Sequence, residues 1–80
     1  MKNLFSNLPL IEGRPDSEKL QFFEMAKIEI NNQPARTFYI AGRDLNNQLV
    51  CSEKLNQYNS SLIQSPFFIK LNKIQSYTTF

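Results

Sequence analysis

Apolar and polar residues alternate along much of this chain, and the alternation predicts strands. Ala26, Ile28 and Ile30 alternate with Lys27 and Glu29, a period of two that sends the two sets to opposite faces. We expect a strand over about 22 to 31. A short helix or turn leads into it, because Asp16 or Ser17 can cap and Leu20, Phe23 and Lys27 stand at helical spacing. Residues 35 to 44 predict a second strand, with Phe38 and Ile40 on one face and Thr37, Tyr39 and Ala41 on the other. Gly42 marks a bulge or a close backbone approach. Gln48 to Cys51 returns as a third strand. Residues 67 to 75 form the last, with Phe67, Ile69 and Leu71 inward and Lys70 and Asn72 outward. Ile74 breaks that alternation, so a bulge is expected near Lys73.

One segment reads differently. Cys51, Leu55, Tyr58 and Leu62 are spaced by four, three and four, one face of a helix at about 53 to 63. Ser52 stands where an N-cap would, Glu53 suits the first turn, and Pro66 stops the helix from beyond. Asn59, Ser60 and Ser61 weaken it. The expected fold is α+β: a small antiparallel sheet of about four strands with one short helix packed on one face, in the order arm-β-β-β-α-β.

Residues 1 to 16 read as an irregular arm and 17 to 80 as a single domain. In the arm, Leu4, Phe5, Leu8, Leu10 and Ile11 are apolar, while Pro9, Gly13 and Pro15 prevent a long helix. Its apolar side chains need cover from this domain or from another chain. Nine Asn against two Gly point to turns built on asparagine, which tolerates positive φ. Asn31-Asn32 and Asn46-Asn47 read as turn centres, the second as a two-residue hairpin loop of type I′.

Composition removes most chemistry. With no histidine there is no Ser–His or Cys–His pair and no imidazole proton shuttle. One cysteine, Cys51, builds neither a disulfide nor a structural zinc site. A thiol at a strand-to-helix junction can be activated, but its plainer reading is a small buried hydrophobe. Glu24 and Glu29 lack a cleft for two-carboxylate chemistry and read as a solvated face; Asp16, Glu18 and Asp44 lack the spacing of a calcium loop. Gly13-Arg14 and Gly42-Arg43-Asp44 have no second glycine, which excludes a P-loop; Arg43-Asp44 reads as an exposed ion pair or turn. No catalytic residues, cofactor or metal are expected.

Net charge is +2, too small to name a partner, but its distribution is uneven. Residues 54 to 80 carry Lys54, Lys70 and Lys73 and no acid. The plainer explanation is chance; the sharper one is a surface facing an acidic protein or nucleic acid. The opening residues begin like a signal peptide, but Asn7, Pro9 and Glu12 break the apolar run. With no run of about 20 apolar residues, the expectation is a soluble, cytoplasmic protein without membrane contact. An 80-residue core leaves only a few kcal/mol of net stability, so a partner or a second copy of the chain could add burial.

Phe67-Phe68 with Lys70 and Lys73, and Phe38-Tyr39 with Arg36 and Arg43, are aromatic and basic groups of the kind that stack single-stranded nucleic acid. Core packing is the plainer role for Phe67 and Phe38. The leading expectation is a non-catalytic protein-binding module, docking on a larger assembly as an adaptor, linker or inhibitor. Its partner surface is acidic, and its contact residues are Leu8, Leu10, Ile11, Tyr39, Lys54, Phe68, Lys70 and Lys73. Richness in Asn, Lys and Ile suits an AT-rich genome, so a phage or mobile-element inhibitor of a host machine is one concrete version. The alternative is a single-stranded nucleic-acid-binding protein.

Overall fold

The computed structural model describes residues 7–11 and 20–80, and its regular elements are strands and one 3-10 turn. In chain order the strands are β1 (Leu10–Ile11), β2 (Glu24–Ile30), β3 (Arg36–Asp44), β4 (Gln48–Ser52), β5 (Lys54–Leu55), β6 (Ile63–Gln64), β7 (Phe67–Lys70) and β8 (Ile74–Thr79). The 3-10 turn Leu71–Lys73 joins the last two. The main sheet runs β7-β4-β3-β2-β8, every pairing antiparallel. β1 lies parallel to the far end of β3, with Leu10 beside Arg43 and Ile11 beside Asp44. β5 and β6 form a separate hairpin.

This path has to curl. β7 and β8 are its two ends, and laid flat at about 4.8 Å per strand they would stand about 19 Å apart. The chain joins them through four Cα steps, from Lys70 to Ile74, which reach at most about 14 Å. The 3-10 turn therefore draws the ends together into a small, partly opened barrel. Asn31 N–H to the Lys73 carbonyl (3.3 Å) carries the β2–β8 ladder into the turn, and Leu71 N–H to the Asn47 carbonyl (3.0 Å) carries the β4–β7 ladder into it.

Alternation on each strand then fills two cores. The inner one takes Leu8, Ala26, Ile28, Phe38, Ile40, Leu49, Cys51 and Ile69, with Ile30, Leu71, Ile74 and Tyr77 packed against it. The outer one joins Leu20, Ala41, Val50 and Ile63, with Ile11, Phe22, Tyr39 and Leu55. Ala41 stands with Tyr39 on the outer face by alternation, and the β3–β4 register shift between Ile40 and Gly42 then puts Gly42 on that face as well. Gly42 thus marks both features expected of it: the bulge, and a close approach, to the Pro9 carbonyl.

The expected α+β arrangement is not what forms: the described residues contain no α-helix, and there are eight strands rather than four. The predicted helix at 53 to 63 is the β5–β6 hairpin and its loop. Two physical reasons decide this. Cys51 faces the inner core and Leu55 the outer, so the spacing by four, three and four never forms one face. The polar residues between them also serve their own backbone. The Asn56 carboxamide oxygen accepts the N–H of Tyr58 (2.8 Å) and of Asn59 (3.0 Å), and that of Asn59 accepts the N–H of Ser61 (3.1 Å). Such bonds offer the chain a turn in place of a helix. Ser52, expected as an N-cap, is a buried strand residue; its hydroxyl donates to the Gln64 carbonyl and accepts the Lys54 N–H.

The predicted last strand at 67 to 75 is two strands, broken by the 3-10 turn where a bulge was expected near Lys73. Both asparagine pairs do lie in turns. Asn32 and Asn47 hold φ of 58° and 59°, the left-handed role glycine usually fills. The β3–β4 connection is nonetheless three residues, 45 to 47, with only the last left-handed, so it is not type I′. Of the arm, residues 7–11 belong to the barrel: Leu8 is buried, and Pro9 accepts the Arg43 N–H at 3.0 Å. Leu4, Phe5, the Gly13-Arg14 turn and the start of the expected helix at Asp16-Ser17 lie outside the described residues.

Candidate protein-docking surface

The eight residues singled out from the sequence separate into three environments. Leu8 is in the inner core, 6% exposed. Ile11 and Tyr39 are half-buried against the outer core, and the Tyr39 ring meets Phe22 edge-on at 5.5 Å. Leu10, Lys54, Phe68, Lys70 and Lys73 are exposed. Strand parity groups two of these. Phe68 pairs with Val50 and Lys70 with Gln48, so both stand on the outer face of β7, while Phe67 and Ile69 turn inward opposite Cys51 and Leu49. Phe68 keeps 42% of its surface open there.

Tyr58 was missed. As part of a helix it would belong to the packed face; in the structure it is 89% exposed, near the tip of the β5–β6 loop. Its position is set by the Asn56 and Asn59 bonds described above. The signal was present in Asn56-Gln57-Tyr58-Asn59-Ser60-Ser61, a run of side chains that compete for backbone hydrogen bonds. Leu55 to Ile69 contains no charged residue, yet it places Tyr58, Phe67 and Phe68 at the surface, and Lys54 and Lys70 bracket it. Exposed aromatic side chains are enriched at the centre of protein interfaces, and here Tyr58 stands on the loop while Phe67 and Phe68 take opposite faces of β7.

The second aromatic and basic group does not assemble. Arg36 lies over the Phe38 ring (5.4 Å to its centroid) and pairs with Glu53. Arg43 pairs with Leu49 on the inner side, and its Nε is buried without a partner among the described residues. Neither joins Tyr39, which faces the outer core. Asp44 is a turn residue rather than half of an exposed ion pair: it is buried, and its carboxylate accepts the N–H groups of Asn46 and Gln48, both at 2.9 Å.

Among the described residues, burial governs the two titrating groups that depart from normal. Cys51 sits inside the barrel, its thiol donating to the Phe67 carbonyl at 3.9 Å, and desolvation pushes its pKa up to about 12. Tyr77 is also raised, first by burial and then by its hydroxyl bond to the Glu24 carboxylate. A raised thiol pKa means the folded state keeps a proton that the unfolded chain releases at its ordinary value. That contribution is therefore whole below about pH 8.5 and is lost as pH rises towards 12. Native protein at pH 8 should react with iodoacetamide at least tenfold more slowly than urea-unfolded protein; equal rates would place the thiol at the surface.

Among the described residues no three His, Cys, Asp or Glu side chains group to hold a metal, and no helix is long and apolar enough to cross a membrane. Comparison with known proteins finds no matching family model, no matching curated protein and no matching solved structure. Small barrels host many unrelated functions, so the fold does not choose among them.

Proposed function

We propose that this chain is a non-catalytic protein-binding module that docks on a larger assembly as an adaptor, linker or inhibitor. The observation that carries this reading is the uncharged stretch Leu55–Ile69, with Tyr58, Phe67 and Phe68 exposed and Lys54 and Lys70 at its margins. Tyrosine on a loop held by its own side chains offers contact area at low entropic cost. The buried, unpaired Cys51 suits a reducing compartment, and we place the protein in the cytoplasm on that ground. The nucleic-acid alternative keeps Phe68 beside Lys70 but not the platform expected at Tyr39, which is edge-packed on Phe22.

Capture from the native cell tests the proposal. Tyr58→Ala/Phe68→Ser removes two exposed rings, so the melting temperature should hold. Wild-type protein should retain a partner at near-equal stoichiometry, and the variant should lose it by about tenfold or more. Identical proteins retained by both would overturn the reading, as would micromolar binding to an oligonucleotide at physiological salt.

A further inference from the structure

The β3–β4 turn and the 3-10 turn face each other across an open hollow of about 440 Å³, lined by Asn46, Asn47, Lys70, Leu71 and Asn72. Its walls are fixed from behind. The Asp44 carboxylate holds the turn through the Asn46 and Gln48 N–H groups, and Leu71 N–H ties the second wall to the Asn47 carbonyl. These bonds use backbone groups and leave the side chains free. Among the described residues nothing hydrogen-bonds the carboxamides of Asn46, Asn47 or Asn72, and the Lys70 ammonium has no ion-pair partner.

We infer that this hollow receives a carboxylate side chain of the partner protein. The inference rests on the binding-module reading and names the chemistry that the partner presents. Three carboxamides supply neutral N–H donors, and Lys70 supplies one positive charge. A carboxylate accepts several such bonds at once, and a charged acceptor strengthens each of them. The protein offers no acid of its own there. Asp44 is buried and committed to its turn, and residues 54 to 80 contain none. A nucleic-acid backbone draws its affinity from neutralising several phosphates together. One lysine at the hollow, with Lys73 ending the adjoining turn, matches a single carboxylate better.

The test is an NMR titration of the full chain with a capped hexaglutamate peptide. Capped hexaglutamine, inorganic phosphate and an oligothymidylate serve as the other arms. Hexaglutamate should shift the side-chain amide signals of Asn46, Asn47 and Asn72 saturably, and hexaglutamine should not. Lys70→Gln should weaken that binding about tenfold or more, while Lys27→Gln, exposed on β2 and outside the hollow, should leave it unchanged. Equal weakening by both variants would reduce the effect to general charge attraction and overturn the inference. So would no saturable shift, or tighter binding of phosphate or the oligonucleotide at the same amides. If hexaglutamate fails while capture still depends on Tyr58 and Phe68, the hollow falls and the binding-module reading stands. If the hollow titrates while capture ignores Tyr58 and Phe68, the aromatic surface is what falls.

Discussion

Phe38→Ala is expected to lower stability by about 3–5 kcal/mol. Among the described residues Phe38 is the largest fully buried side chain, 1% exposed on β3. Its ring touches Phe67 edge-on at 5.6 Å, carries the Arg36 guanidinium over its face and packs among residues of β2 and β4. Removing it leaves a cavity whose walls, built from β2, β4 and the Phe67 ring, cannot fully collapse to fill it. An 80-residue domain has about 4–12 kcal/mol in total, so the variant should be largely unfolded in mild urea. Phe67→Ala is the informative contrast. The sequence alone places Phe67 in the core beside Phe38, which implies the same loss. In the structure Phe67 is 37% exposed on an edge strand, so its removal should cost about 1–2 kcal/mol. Urea melts of the two variants, compared at equal m-value, decide the matter. Equal losses would mean that β7 sits deeper than described.

Gly42→Val should cost about 2–4 kcal/mol and lower the melting temperature by about 10–25 °C. The cause is space, not backbone conformation. A Cβ at Gly42 would stand 2.4 Å from the Pro9 carbonyl oxygen, and 3.2 and 3.3 Å from the Cδ1 and Cγ1 of Ile11. The isoleucine side chain can turn aside. The carbonyl cannot, because it belongs to the backbone and accepts the Arg43 N–H at 3.0 Å. β1 must then move off β3, which breaks that bond and draws Leu8 out of the inner core. Even Gly42→Ala should expose the Arg43 amide to hydrogen exchange. An alanine variant with wild-type stability and a protected Arg43 amide would show that β1 is dispensable.

The sequence determined the local geometry of the meander. Alternation at Ala26-Ile28-Ile30 and at Phe38-Ile40 set which side chains face inward on β2 and β3, because side-chain direction on a strand follows from position alone. The asparagine pairs marked two turns, because few other residues accept a left-handed backbone cheaply. The lysines at 70 and 73 are exposed, as their charge requires.

Tertiary structure decided the rest. Leu55, Tyr58 and Leu62 sit at helical spacing; the Asn56 and Asn59 side-chain bonds favour a turn there, and a second, outer core over Ala41 and Val50 pulls Leu55 and Ile63 into a hairpin and leaves Tyr58 in solvent. The chain from 67 to 75 reads as one strand with a flaw. Whether that flaw is a bulge or a turn depends on which strands wait on either side, and β4 and β2 are remote in sequence from it. The β4–β7 register, with Gln48 opposite Lys70, is what brings Asn46 and Asn47 opposite Leu71 and Asn72. No local preference of those residues encodes their meeting, because it arises from the pairing of two strands that are remote in sequence.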